Sequence, residues 1–377
     1  MHRSILIIPA LLLLAGAVSA WLPKEHDLAA FKDINKIRGV NLGGNDKFEA
    51  HWRTWINAAS IQSAHDVGLN TIRIPIGYWS NVDIVDKASE PFADGNRMLP
   101  YLDAVVQKAA DLGMYVIIDL HGAPRGQQED VFTGQNNKPA GFFNDYDFDR
   151  AQKWMSWMTK RIHTNPAYAT VGMIEVLNEP VSRHDKNGTR YPAPGEVPGL
   201  IQKYYPGALK AVRDAEASLG VPEGKKLHVQ FMSLKWESGN PRHDSAVAND
   251  KLTAFDDHNY ISFGFDAPQD KGNRVKLMKR ACTDSRVVDE QTFAITGEWS
   301  MTSNVSPDDT DFFHKFFTAQ QQLYEKPGMS GWVYWTWKTQ LNDPRWTYSD
   351  ATYRKLIPTD AAGLEMSVYQ DVCSNYT

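Results

Sequence analysis

Val171-Gly-Met-Ile-Glu-Val-Leu-Asn178, followed at once by Glu179-Pro180, is a near-continuous apolar run that ends on polar residues. A strand buried on both faces has this composition, because its side chains point alternately to the two sides of a parallel sheet and both sides are covered. Seven further runs share the plan: Ile37 to Gly43, Thr71 to Gly77, Tyr115 to Gly122, Leu227 to Ser233, Leu252 to Tyr260, Phe293 to Glu298 and Gly331 to Lys338. Between them, apolar residues recur every three or four positions, as in Leu99 to Leu112, Asp147 to His163, Leu200 to Leu219 and Asp311 to Tyr324. That is the period of a helix with one buried face. Strands alternating with helices predict a parallel α/β sheet with right-handed crossovers, and eight of them predict a closed (β/α)8 TIM barrel.

The 377 residues suit one barrel with insertions, and no repeat, low-complexity tract or Ser/Pro-rich linker divides them. Residues 1–20 combine a basic start (His2, Arg3), an apolar run from Ile5 to Leu14 and the small residues Val18-Ser-Ala20. This is the pattern of a cleaved secretory signal, with a mature catalytic domain over 21–377; the apolar run is too short for a spanning anchor, and no membrane partner is expected. The net charge of −5 offers no basic face for nucleic acid. In a secreted chain the two cysteines, Cys282 and Cys373, are expected to form one disulfide holding the C-terminal tail, two buried thiols being the alternative. The sequons at Asn187, Asn304 and Asn375 suit a glycosylated extracellular product, and a monomer is expected.

Two carboxylates stand where strands surface: Glu179 after Asn178, and Glu298 in Thr296-Gly-Glu-Trp-Ser300. A retaining glycosidase needs such a pair, one group to protonate the leaving oxygen and one to attack the anomeric carbon. Alone, either is more often an ordinary ion-pair partner, but other strand ends carry matching chemistry. Arg73 can hold a nucleophilic carboxylate ionised at low pKa, Asn178 can donate to the sugar 2-OH, and Tyr260 can hydrogen-bond the nucleophile. His121 and His258 add hydrogen bonds, and the indole of Trp337 offers an apolar floor for a pyranose ring. Like charges so close do not both form easily, so the proton is expected to stay on Glu179 while Glu298 is charged. No His-Glu-x-x-His, Gly-rich phosphate loop or Gly-x-Ser-x-Gly elbow occurs, and neither metal nor cofactor is expected.

Ile37-Arg-Gly-Val-Asn-Leu-Gly43, Gly68-Leu-Asn-Thr-Ile-Arg-Ile-Pro-Ile-Gly77, Asp119-Leu-His-Gly-Ala-Pro124, Asn178-Glu-Pro180, Gly297-Glu298 and Tyr334-Trp-Thr-Trp-Lys338 resemble glycoside hydrolase family five. Further stretches, among them His51-Trp-Arg-Thr-Trp-Ile56, Arg161-Ile-His-Thr-Asn165, Phe255-Asp-Asp-His258 and Trp337-Lys-Thr-Gln340, are similar to the family's fungal secreted endo-β-1,6-glucanases. The resemblance spans nearly the whole mature chain. It implies a retaining β-glucanase with Glu179 as acid/base and Glu298 as nucleophile. Exo-β-1,3-glucanases share the strand-end motifs and form the alternative. One departure stands out: between Asn41-Leu-Gly-Gly44 and His51-Trp52 the chain has only a few residues where relatives of this type have some tens. The shortened first loop opens a further alternative, a glucan-binding wall protein with little catalysis.

Overall fold

Tyr115 and Ile117 turn into one hydrophobic cluster while Val116 and Ile118 turn into another, the two-residue alternation of a strand covered on both faces. In the computed structural model, residues 36–42, 53–90, 95–134, 140–181, 183–184, 190–191, 197, 199–262, 271–341 and 343–376 are described. The expected signal, Asn187 and the shortened stretch after Gly44 lie outside them. Eight strands, β1 (Ile37–Asn41), β2 (Thr71–Gly77), β3 (Tyr115–Gly122), β4 (Val171–Glu175), β5 (His228–Met232), β6 (Thr253–His258), β7 (Ala294–Glu298) and β8 (Met329–Tyr334), close into one parallel barrel, with β8 pairing β1. The inner cluster draws Ile37, Tyr115, Ile117, Met173, Ala254, Ile295 and Val333 from six strands, so the barrel is filled rather than hollow.

Each strand is followed by a helix: α1 (Ala58–Asp66), α2 (Gly95–Asp111), α3 (Asp145–Thr164), α4 (Tyr205–Ser218), α5 (Ser245–Asn249), α6 (Arg274–Thr283), α7 (Thr310–Tyr324) and α8 (Tyr348–Tyr353). In α3, Phe148, Ala151, Met155, Met158 and Ile162 are buried at alternating spacings of three and four, which lays one apolar stripe on the barrel. Asn144 caps its start by accepting from the Asp147 amide. A short helix α9 (Ala361–Ser367) follows α8, and the segment after it is bonded to α6 through Cys282–Cys373. With the cysteines 91 positions apart in sequence, that closure contributes about 4–5 kcal/mol in the chain-entropy picture.

Candidate active site

The alternation that buries Ile117 inside β3 also carries Asp119 and His121 inward, two and four residues nearer the C-terminal mouth. Met173 is likewise followed by Glu175 on β4, and Ala254 by Asp256 and His258 on β6. Buried polar side chains therefore converge at the end of the barrel where such folds place their chemistry.

Arg73 on β2 is the hub and is fully buried. Its Nη1 donates to Oδ1 of Asn41 at 2.8 Å and to Oε1 of Glu298 at 3.1 Å. Nη2 donates to Oδ1 of Asn178 at 2.8 Å and lies 3.0 Å from Oδ2 of Asp119, while Nε donates to Oε2 of Glu175 at 2.9 Å. Burial opposes the guanidinium charge, yet the carboxyl groups of Asp119, Glu175, Asp256 and Glu298 together hold its pKa well above the ordinary value.

Glu179 and Glu298 meet across the mouth. One oxygen of each, with one nitrogen of His258, lie within 4.8 Å of one another. His258 Nδ1 is 2.7 Å from Oε1 of Glu179 and 3.6 Å from Oε2 of Glu298, and its Nε2 is 3.5 Å from Oδ2 of Asp256. Burial works against a charge on His258, but Glu298, Asp256 and Glu179 outweigh it and raise its pKa well above the ordinary imidazole value. Tyr260 donates its hydroxyl to Oε2 of Glu298 at 2.8 Å, and burial together with Glu298 and Glu179 pushes the phenol pKa up, so the proton stays in place.

Glu179 has a φ of +43°, a left-handed conformation that costs an L-residue about 1–3 kcal/mol. Two glutamines of the β3 loop hold it. Gln127 donates to the carbonyls of His121 (2.7 Å) and Asn178 (2.9 Å), and Gln128 donates to the carbonyl and to Oε2 of Glu179, both at 3.2 Å. Gly297 is required for a different reason: its amide donates to Oδ1 of Asp256 at 2.8 Å, and a Cβ there would stand 2.0 Å from that same oxygen.

The structure thus brings Arg73, His121, Asn178, Glu179, His258, Tyr260 and Glu298 together. His121 Nδ1 is 2.7 Å from Oδ2 of Asp119, and its ring stacks on Trp335 at 5.4 Å. Two expectations need correction. Trp337 does not floor the site: its indole is only 5 % exposed, belongs to the main hydrophobic core and stacks on Tyr348. β8 ends at Tyr334, and the chain then turns, so the indole beside His121 is that of the half-buried Trp335. Nor does Arg73 keep the Glu298 pKa low. Burial raises it, His258 lowers it, Glu179 raises it and Arg73 lowers it, with burial deciding the direction upward.

Asn41, Glu175, Asp256, Gln127, Gln128 and Trp335 were not expected from the sequence. Asn41 had a usable signal, since it ends β1 as the other polar residues end their strands and pairs in register with Arg73. The cysteines are bonded, and Asn304 and Asn375 are exposed.

The cellulase family description, glycosyl hydrolase family 5, matches residues 33–340. The chain is 40 % identical to the glucan endo-1,6-beta-glucosidase B of Emericella nidulans over 83 % of its own length and 74 % of the relative's. It is 36 % identical to a probable glucan endo-1,6-beta-glucosidase B of Neosartorya fischeri, covering 94 % and 97 %. Identity falls to 25 % with a glucan 1,3-beta-glucosidase of Blumeria graminis, covering 93 % of each chain. Among solved structures, rutinosidase from Aspergillus niger superposes with a TM-score of 0.63 at 20 % identity, covering 85 % of this chain and 97 % of the other, a likeness of fold.

Proposed function

Because the chain belongs to glycosyl hydrolase family 5, we propose that it hydrolyses β-1,6-glucan with retention, using Glu298 as nucleophile and Glu179 as acid/base. The observation that carries the mechanism is the 4.8 Å limit between carboxyl oxygens of Glu179 and Glu298. That proximity suits direct attack on the anomeric carbon, as in retaining pairs whose carboxyl groups lie about 5–5.5 Å apart.

In the first step an oxygen of Glu298 bonds to the anomeric carbon as the glycosidic bond breaks, and the departing oxygen takes the Glu179 proton. In the second, Glu179 removes a proton from water, the water oxygen bonds to the anomeric carbon, and Glu298 leaves as a carboxylate. Arg73 and Tyr260 hold the two oxygens of Glu298 in place. Asn178 Nδ2 is buried with no hydrogen-bond partner among the described residues, which leaves it available to donate to the sugar 2-OH. Trp335 offers the apolar face for the ring.

The β-1,6 linkage is supported by relatives so described at 36–40 % identity, against 25 % for the 1,3 relative above. The signal-like residues 1–20, the disulfide and the exposed sequons at Asn304 and Asn375 support a secreted, glycosylated enzyme at the cell wall.

The test is a product profile on pustulan, a β-1,6-glucan, beside laminarin, a β-1,3-glucan. Early oligomers from pustulan are expected, with E179A and E298A each abolishing nearly all turnover. Glucose alone from laminarin would assign an exo-β-1,3-glucanase. Binding to insoluble glucan without turnover, in the folded protein, would assign a wall-binding protein.

A further inference from the structure

Beneath the carboxyl pair, Glu175 of β4 and Asp256 of β6 are both fully buried, and neither takes part in the chemical steps above. Glu175 Oε2 accepts from Arg73, but among the described residues Glu175 Oε1 and Asp256 Oδ2 have no hydrogen-bond partner, His258 Nε2 standing 3.5 Å from the latter. Yet both flank one donor, Arg73 Nε lying 2.9 Å from Oε2 of Glu175 and 3.6 Å from Oδ2 of Asp256. Gln230, the register neighbour of Glu175 on β5, brings no donor to it, since its amide nitrogen is itself unpartnered. Two carboxylates are acceptors only, so a bond between them requires a proton.

We propose that Glu175 and Asp256 share one permanently bound proton, and that the neutral Glu175 is a positioning residue that keeps the Arg73 cation directed at Glu298. The charge inventory calls for it. Asp119, Glu175, Asp256, Glu179 and Glu298 crowd about Arg73 and His258, with His121 set against Asp119 beside them. Tyr205, from α4, also faces Glu175 and supplies no positive charge. Even with the proton on Glu179, four ionised carboxyls packed about Arg73 and His258 in a water-poor interior would be heavily self-repelling. Consistently, burial moves Glu175 well above the ordinary carboxyl pKa against the pull of Arg73, with Asp119 and Asp256 adding to the rise, whereas Asp256 is lowered, its burial outweighed by His258, Arg73 and the bond from Glu175. With Glu175 neutral, Arg73 faces one full charge fewer on its Nε side, and its Nη1 stays on Glu298 Oε1 at 3.1 Å.

The functional half of the proposal rests on Glu298 being the nucleophile; the proton itself does not, and the two are tested apart. Infrared spectra at neutral pH of E179Q and of E179Q/E175Q, a pair that removes any signal from a protonated Glu179, should differ by one protonated-carboxyl C=O stretch lost in the double variant. Identical spectra in that region would overturn the shared proton. On pustulan, E175A should lose about 100-fold in kcat/KM, the order of cost of displacing a catalytic group by an ångström, and E175Q, a neutral isostere that can donate to Asp256, should recover most of it. Folded E175Q as impaired as E175A would overturn the positioning role. If E175A does not fold, the infrared pair, built only from glutamine isosteres, still decides the protonation state.

Discussion

The hydroxyl of Tyr260 donates to Oε2 of Glu298 at 2.8 Å, on the side of the carboxyl group opposite the Arg73 contact. A fixed donor at a reacting oxygen is worth most where water is excluded, and removing one costs on the order of 10²-fold in kcat. Y260F should show a loss of that size on pustulan. The ring keeps its packing against Trp346, 5.8 Å away, so the melting temperature should barely move. An unimpaired Y260F would mean that Arg73 alone orients the nucleophile.

Trp335 and Trp337 should separate cleanly. W335A removes the face that stacks on His121 and should weaken kcat/KM with little loss of stability. W337A opens a hole in the main core and should cost about 3–5 kcal/mol of stability. Kinetics and thermal melts on the two variants check the assignment; a W337A variant of native stability with impaired binding would reverse it.

Ionisation makes two linked predictions. Burial and Glu179 raise the Glu298 pKa against His258 and Arg73, so the acid limb of kcat/KM should lie above the ordinary glutamate value, with the optimum still on the acid side of neutral. A profile still climbing beyond about pH 8 would mean that Glu179 is not the proton donor. For stability, Glu298 and Glu175 are both raised, so the folded state holds protons that the unfolded chain has released, and stability declines as pH climbs from the ordinary carboxyl value through the folded ones. His258 is raised too, so its contribution is complete below the ordinary imidazole pKa and is lost as pH rises through the folded value. Asp256 is lowered and acts oppositely, its contribution disappearing only as pH falls through its folded value. The melting temperature should therefore peak at mildly acid pH and fall on the alkaline side.

The barrel was legible because buried parallel strands leave apolar runs, and Thr71–Gly77 and Tyr115–Gly122 form with the ends the sequence suggests. The carboxyl pair was legible for a related reason: strand ends are where polar residues interrupt those runs. What escaped depends on three-dimensional detail. Trp335 and Trp337 cannot be told apart until the end of β8 at Tyr334 is known. Glu175 and Asp256 lie inside the apolar runs Val171 to Asn178 and Leu252 to Tyr260 rather than at their ends, and their role depends on which oxygens lack donors. The direction of the Glu298 shift is a balance of burial against His258 and Arg73, which residue identity cannot weigh. Gln127 and Gln128 lie in a loop whose return to Asn178 and Glu179 leaves no periodic trace.

The most direct test of the account is the stereochemistry of cleavage. Proton NMR of the first products released from pustulan, recorded before mutarotation, should show the new reducing ends in the β configuration, as double displacement through Glu298 requires. New ends appearing first as the α anomer would contradict a retaining pair at Glu179 and Glu298.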